Sequence, residues 1–124
     1  MYGKKILVVE DEFIVALDLK RSVSGFGYSV SKVVHSGEEA IEAVSKDKPD
    51  LILMDIILKG KLTGLEAGKT IWERYKIPII YITSFFDDST LRHNLEYATS
   101  YDYLIKPFKE SDLKLKINNF ISAA

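Results

Sequence analysis

The chain has 124 residues, 47% hydrophobic and 28% charged, with no cysteine and a net charge of −1. That length supports one domain burying roughly two-thirds of its unfolded surface without cross-links, and the lack of cysteine excludes disulfides and thiolate-bound zinc. The 17 Lys and Arg residues are scattered from Lys4 to Lys116 and form no basic stripe, which argues against direct nucleic-acid binding. No apolar run approaches the roughly 20 residues needed to cross a bilayer, so no membrane insertion is expected. The chain enters its first apolar run directly after Met1–Lys5, and no signal peptide is expected. Together these features lead us to expect a cytoplasmic protein.

Taken in order, short apolar runs alternate with segments of helical period. The predicted strands are 5–9, 29–34, 50–55, 78–83 and 102–106. The first helix should bury Val15, Leu19, Val23 and Phe26 and stop at Gly25 and Gly27. The second, carrying Ala40, Ile41 and Val44, opens on a capping-box pattern, Ser36-Gly37-Glu38-Glu39. The third uses Leu65, Gly68, Ile71, Trp72 and Tyr75 behind a second box, Thr63 with Glu66. A fourth offers Leu91, Leu95 and Ala98, and a last one Leu113, Ile117 and Phe120.

Five strands alternating with five helices imply right-handed βαβ units and a doubly wound α/β fold, with a parallel sheet covered on both faces. Its inner strands should read as continuous apolar runs. Segments 29–34 and 102–106 are more polar and fit the edges, giving a flavodoxin-like order of 2-1-3-4-5 in a single domain over 1–124. In such a sheet, ligands bind beyond the carboxyl ends of the strands where the order reverses, here between strands 1 and 3. Strand 1 ends at Glu10-Asp11, strand 3 at Asp55, strand 4 at Thr83-Ser84 and strand 5 at Lys106, so the chemistry falls on one rim.

Asp55 closes the apolar run Leu51-Ile52-Leu53-Met54, where a carboxylate costs desolvation free energy unless cations or donors meet it. Three carboxylates at close quarters repel one another, and a hard divalent cation such as Mg2+ resolves the conflict with oxygen ligands. An Asp55 oxygen could then attack phosphorus in line, with the Lys106 ammonium neutralising phosphoryl oxygens and the Thr83 hydroxyl donating to one. The product would be an aspartyl phosphate.

The segments Val8-Val9-Glu10-Asp11-Glu12, Leu53-Met54-Asp55, Ile82-Thr83-Ser84 and Tyr103-Leu104-Ile105-Lys106-Pro107-Phe108 closely resemble the receiver domain of two-component response regulators, of the chemotaxis-regulator type. The resemblance extends from Lys4 to Ile121 and rests on four motifs in the family's order and spacing. It implies an aspartyl-phosphate switch fed by a histidine kinase, with self-phosphorylation from small phosphodonors and slow autodephosphorylation. By position, Asp55 looks like the phosphoacceptor, and Glu10 and Asp11 like the acidic pair around Mg2+. The Ile57 backbone carbonyl would be a further metal ligand, Thr83 and Lys106 the phosphate contacts, and Tyr103 the switching aromatic. The Lys106-Pro107 bond is expected to be cis. The output face would be built by the fourth helix, the last strand and the last helix, and the family also allows a phosphorylation-linked dimer there.

Departures from the family are local. Lys59-Gly60-Lys61-Leu62-Thr63-Gly64 replaces the common proline-containing loop and is one residue longer. Ile57 and Phe85, two residues after Asp55 and Thr83, are apolar where many members are polar, so the phosphorylated state should be long-lived. Plainer readings stand beside these: Glu10-Asp11-Glu12 also suits a helix N-terminus, and Lys106 also suits a solvated lysine before a helix-starting proline. His35 and His93 lack metal-ligand spacing and are expected as surface residues. Two other functional classes compete. One is a Mg2+-dependent aspartyl-phosphate hydrolase, which usually places a second acid where Ile57 stands. The other is a phosphorylation-independent interaction domain, against which the intact acids, Thr83 and Lys106 argue.

Overall fold

A computed structural model describes residues 3–84 and 101–122. The expected fourth helix, and with it Phe85 and His93, lies outside them. Five strands, β1 (Lys5–Val9), β2 (Ser29–Val34), β3 (Leu51–Asp55), β4 (Ile79–Thr83) and β5 (Tyr101–Ile105), form one parallel sheet in the order β2-β1-β3-β4-β5. The described helices are α1 (Phe13–Gly25), α2 (Gly37–Lys46), α3 (Gly64–Tyr75) and α4 (Glu110–Asn118), the last being the fifth helix of the sequence pattern. Each predicted strand is found to within one residue at either end.

Apart from Lys5 at the start of β1, the inner strands are buried, as continuous apolar runs should be when helices cover both faces of a sheet. Alternation along each strand divides the core in two. Leu7, Val9, Ile52, Met54, Ile79 and Tyr81 point to the face packed with Ala40, Val44, Ala67 and Ile71 of α2 and α3. Ile6, Val8, Leu51, Leu53, Ile80 and Ile82 point to the other, against Leu19 and Val23 of α1 and Leu113 and Ile117 of α4. In α1 the third deeply buried residue is Ala16, while Val15 and Phe26 are half-buried at the margin. The edge strand β2 slips register against β1 at Ile6/Leu7, passing from Val30 to Lys32, and leaves Ser31 as the extra residue.

The two expected capping boxes differ. At α3 the box is complete: Thr63 Oγ1 accepts from Glu66 N–H and Glu66 accepts from Thr63 N–H. At α2 only half of it forms, because Ser36 Oγ accepts from Glu39 N–H, but the Glu39 carboxylate accepts from His35 N–H and the Ser36 hydroxyl instead.

Candidate functional site

The carboxyl ends of β1, β3, β4 and β5 meet at one rim because the parallel ladders bring them level. Backbone bonds carry the alignment past the strand ends: Glu10 N–H donates to Val34 O at 3.0 Å, Ile56 N–H to Ile82 O at 3.0 Å and Lys106 N–H to Thr83 O at 2.7 Å. Among the described residues, Glu10, Asp55 and Thr83 are the buried polar ones, at 0%, 6% and 2% exposure, so these groups are largely withdrawn from water.

The Lys106 ammonium lies 3.1 Å from Glu10 Oε1 and 3.1 Å from Asp55 Oδ2. Asp55 Oδ1 accepts the Ile57 N–H at 3.0 Å, so each oxygen of this carboxylate has its own donor. Glu10 Oε2 accepts the Glu12 N–H, and Asp11 Oδ2 accepts the Lys59 N–H at 3.2 Å. One carboxylate oxygen each from Glu10, Asp11 and Asp55 lie within 4.8 Å of one another. Such a set of hard oxygen donors suits Mg2+.

One ammonium cannot neutralise three carboxylates. Burial pushes the Glu10 carboxyl up to about 7, and the Asp55 carboxylate adds to the rise against the pull of the Glu12 N–H and Lys106. For Lys106, burial works against the charged form, but the Asp55 and Glu10 carboxylates outweigh it and hold its pKa above the usual lysine value. Among the described residues the site carries excess negative charge, which favours either a bound proton or a bound cation.

The remaining predicted residues fall nearby. Ile57 follows the site with its side chain 64% exposed. Tyr103 is half-buried on β5, where the Lys116 ammonium lies 6.0 Å from its ring centre while bonding both oxygens of Asp102. The Lys106-Pro107 bond is cis. His35 is exposed, as a surface residue should be, but it is not remote from the site: its Nδ1 lies 2.9 Å from Glu10 O.

Two residues of the site's surroundings escaped the sequence reading. Gly64 opens α3 so close to Asp55 that a Cβ there would lie 1.9 Å from Asp55 O, and its N–H donates to Ile56 O at 2.7 Å. Only a residue without Cβ lets the helix start against the strand end. Glu38, which reads as part of a helix-opening box, reaches the loop and accepts Lys61 N–H at 3.3 Å and Leu62 N–H at 3.2 Å. Acid side chains near a helix start usually signal capping, and nothing in the local pattern distinguishes this use.

Residues 6–118 match the family model described as the response regulator receiver domain. Among similar proteins, the transcriptional regulatory protein PdtaR of Mycobacterium tuberculosis is 32% identical over 89% of this chain and 53% of its own length. The phyllosphere-induced regulator PhyR of Methylorubrum extorquens is 38% identical over 92% of this chain and 42% of its own. The chain thus spans about half the length of the curated relatives it matches. The signal receiver domain of a modulated diguanylate cyclase from Desulfovibrio desulfuricans superposes with a TM-score of 0.86 at 33% identity, covering 96% of this chain and 94% of that one. The receiver domain of the sensor histidine kinase PA1611 of Pseudomonas aeruginosa, solved with a magnesium ion coordinated in its active site cleft, superposes with a TM-score of 0.82 at 30% identity, covering 95% and 97%.

Proposed function

This chain belongs to the response regulator receiver family, and from that premise we propose that it takes a phosphoryl group from a histidine kinase onto Asp55. The observation that carries the proposal is the Lys106 ammonium, 3.1 Å from both Asp55 Oδ2 and Glu10 Oε1 inside a cluster of three acids. Asp55 is the acid held for attack, since Ile57 N–H fixes one oxygen and Lys106 the other. Glu10, Asp11, Asp55 and the Ile57 carbonyl would hold Mg2+, which when bound screens the phosphoryl oxygens as charge develops on them.

The chain's own groups do the rest. In phosphotransfer the P–N bond of a phosphohistidine breaks as a P–O bond to Asp55 forms, and the departing imidazole keeps the electron pair. Lys106 pairs with the transferred phosphoryl, and the Thr83 hydroxyl donates to one of its oxygens. Asp55 moves from one negative charge toward two. Thr83 shifts toward that charge, Tyr103 fills the space it leaves, and the face including β5 and α4 repacks into a second arrangement, biased by contacts made in only one of the two. That face is also where a phosphorylation-linked dimer would form.

The test is transfer of label from a radiolabelled histidine kinase, or from acetyl phosphate with Mg2+. Wild-type chain should take up label that Asp55→Asn does not. Label persisting in Asp55→Asn would overturn the assignment.

A further inference from the structure

The loop between β3 and α3 lacks the stiffening of a proline, yet it supports two of the site's oxygens. Lys59 N–H donates to Asp11 Oδ2 at 3.2 Å, and Ile57 N–H donates to Asp55 Oδ1 at 3.0 Å. Its base is closed by Gly64 N–H on Ile56 O, and Lys59 pairs with Ser36 in an isolated parallel bridge. The stretch between is held at its end by Glu66 on Thr63 N–H and at its middle by a side chain from another helix. Glu38, from the first turn of α2, accepts Lys61 N–H through one oxygen and Leu62 N–H through the other. Gly60, at φ +105°, lets the turn come this close: a Cβ there would stand 2.9 Å from Glu38 Oε2. The two backbone donors hold the Glu38 carboxyl below the usual range, as a carboxylate accepting N–H groups should be.

We propose that Glu38 is a positioning residue for the phosphorylation site, clamping the Lys59–Leu62 turn so that the Lys59 N–H orients the Asp11 carboxylate toward the metal position. A side chain on α2 thus does for this loop what ring constraint does elsewhere. The Glu38 oxygens meet the loop's donors more strongly than their own N–H, and the Ser36 hydroxyl already caps Glu39 N–H. The inference rests on Asp11 being a Mg2+ ligand, as proposed above.

The experiment compares wild type, Glu38→Ala, Glu38→Asp and Glu38→Gln in the whole chain, with Glu42→Gln as a control that removes only the exposed pair with Lys46 on the same helix. Three quantities are read: amide exchange at Lys61 and Leu62, Mg2+ affinity by chemical-shift titration without phosphodonor, and phosphorylation rate with acetyl phosphate. Glu38→Ala should speed exchange at both amides and weaken Mg2+ binding by about 10-fold, the low end of the cost of losing a group that orients a metal ligand. Glu38→Gln and Glu38→Asp should recover part of that loss, and Glu42→Gln should match wild type. Should Glu38→Ala not fold, Gly60→Ala disturbs the same contact from the loop side and should weaken Mg2+ binding likewise. If wild type binds Mg2+ and the Glu38 variants match it within twofold, the clamp positions nothing and the proposal falls alone. A wild type that neither binds Mg2+ nor accepts phosphoryl would overturn the functional reading, and this proposal with it.

Discussion

Glu10 is fully buried and shares the Lys106 ammonium with Asp55, so one cation answers two carboxylates. Its proton is held more tightly in the folded chain, at about 7, than at the ordinary value of 4.5. Between those values the native state binds more protons than the unfolded state, so metal-free protein should lose stability as pH rises from 4.5 to 7. The raised pKa of Lys106 acts in another window: its contribution is complete below 10.5 and fades only as pH climbs through the folded value above that. Denaturant midpoints in a chelator across pH 4.5 to 7.5 should therefore fall for wild type and stay nearly level for Glu10→Gln. A second outcome follows from Ile57, which is exposed and apolar and whose N–H bonds Asp55. Ile57→Asn should speed loss of the phosphoryl group several-fold, read as the decay rate after phosphodonor removal; an unchanged rate would show that water reaches phosphorus by another path.

The elements hold the site through their ends more than through their middles. The complete box at Thr63 and Glu66 starts α3 directly behind the loop that contacts Asp11. Thr63→Ala should cost about 1 kcal/mol in chemical denaturation, the usual loss for an N-cap threonine. Gly64→Ala should cost more, about 1–3 kcal/mol as overpacking does, because its Cβ meets the Asp55 carbonyl, and it should also slow phosphorylation by moving the strand end. Apolar period and turn residues were enough to read the five strands and the four described helices, since core faces impose a regular spacing on the sequence. The half-formed box at Ser36 was misread because a pattern of spacing does not say which donor a carboxylate will choose; Glu39 chose His35 N–H, and Glu38 chose the loop.

At the scale of the molecule, the order β2-β1-β3-β4-β5 turns residues 96 positions apart, Glu10 and Lys106, into neighbours. That convergence was legible, because polar edges and apolar inner strands fix the order, and the order brings the strand ends together. What supports the site was not: Glu38, the Gly64 approach and the contact of His35 with Glu10 O depend on loop geometry that no periodicity records. The central claim is that Asp55 carries the phosphoryl group, and borohydride reduction of the phosphorylated chain, followed by peptide mapping, tests it most directly. Reduction of the acyl phosphate should mark Asp55 alone, and only when Mg2+ and phosphodonor are both supplied. A mark on Glu10, Asp11 or another carboxylate, or none at all, would contradict it.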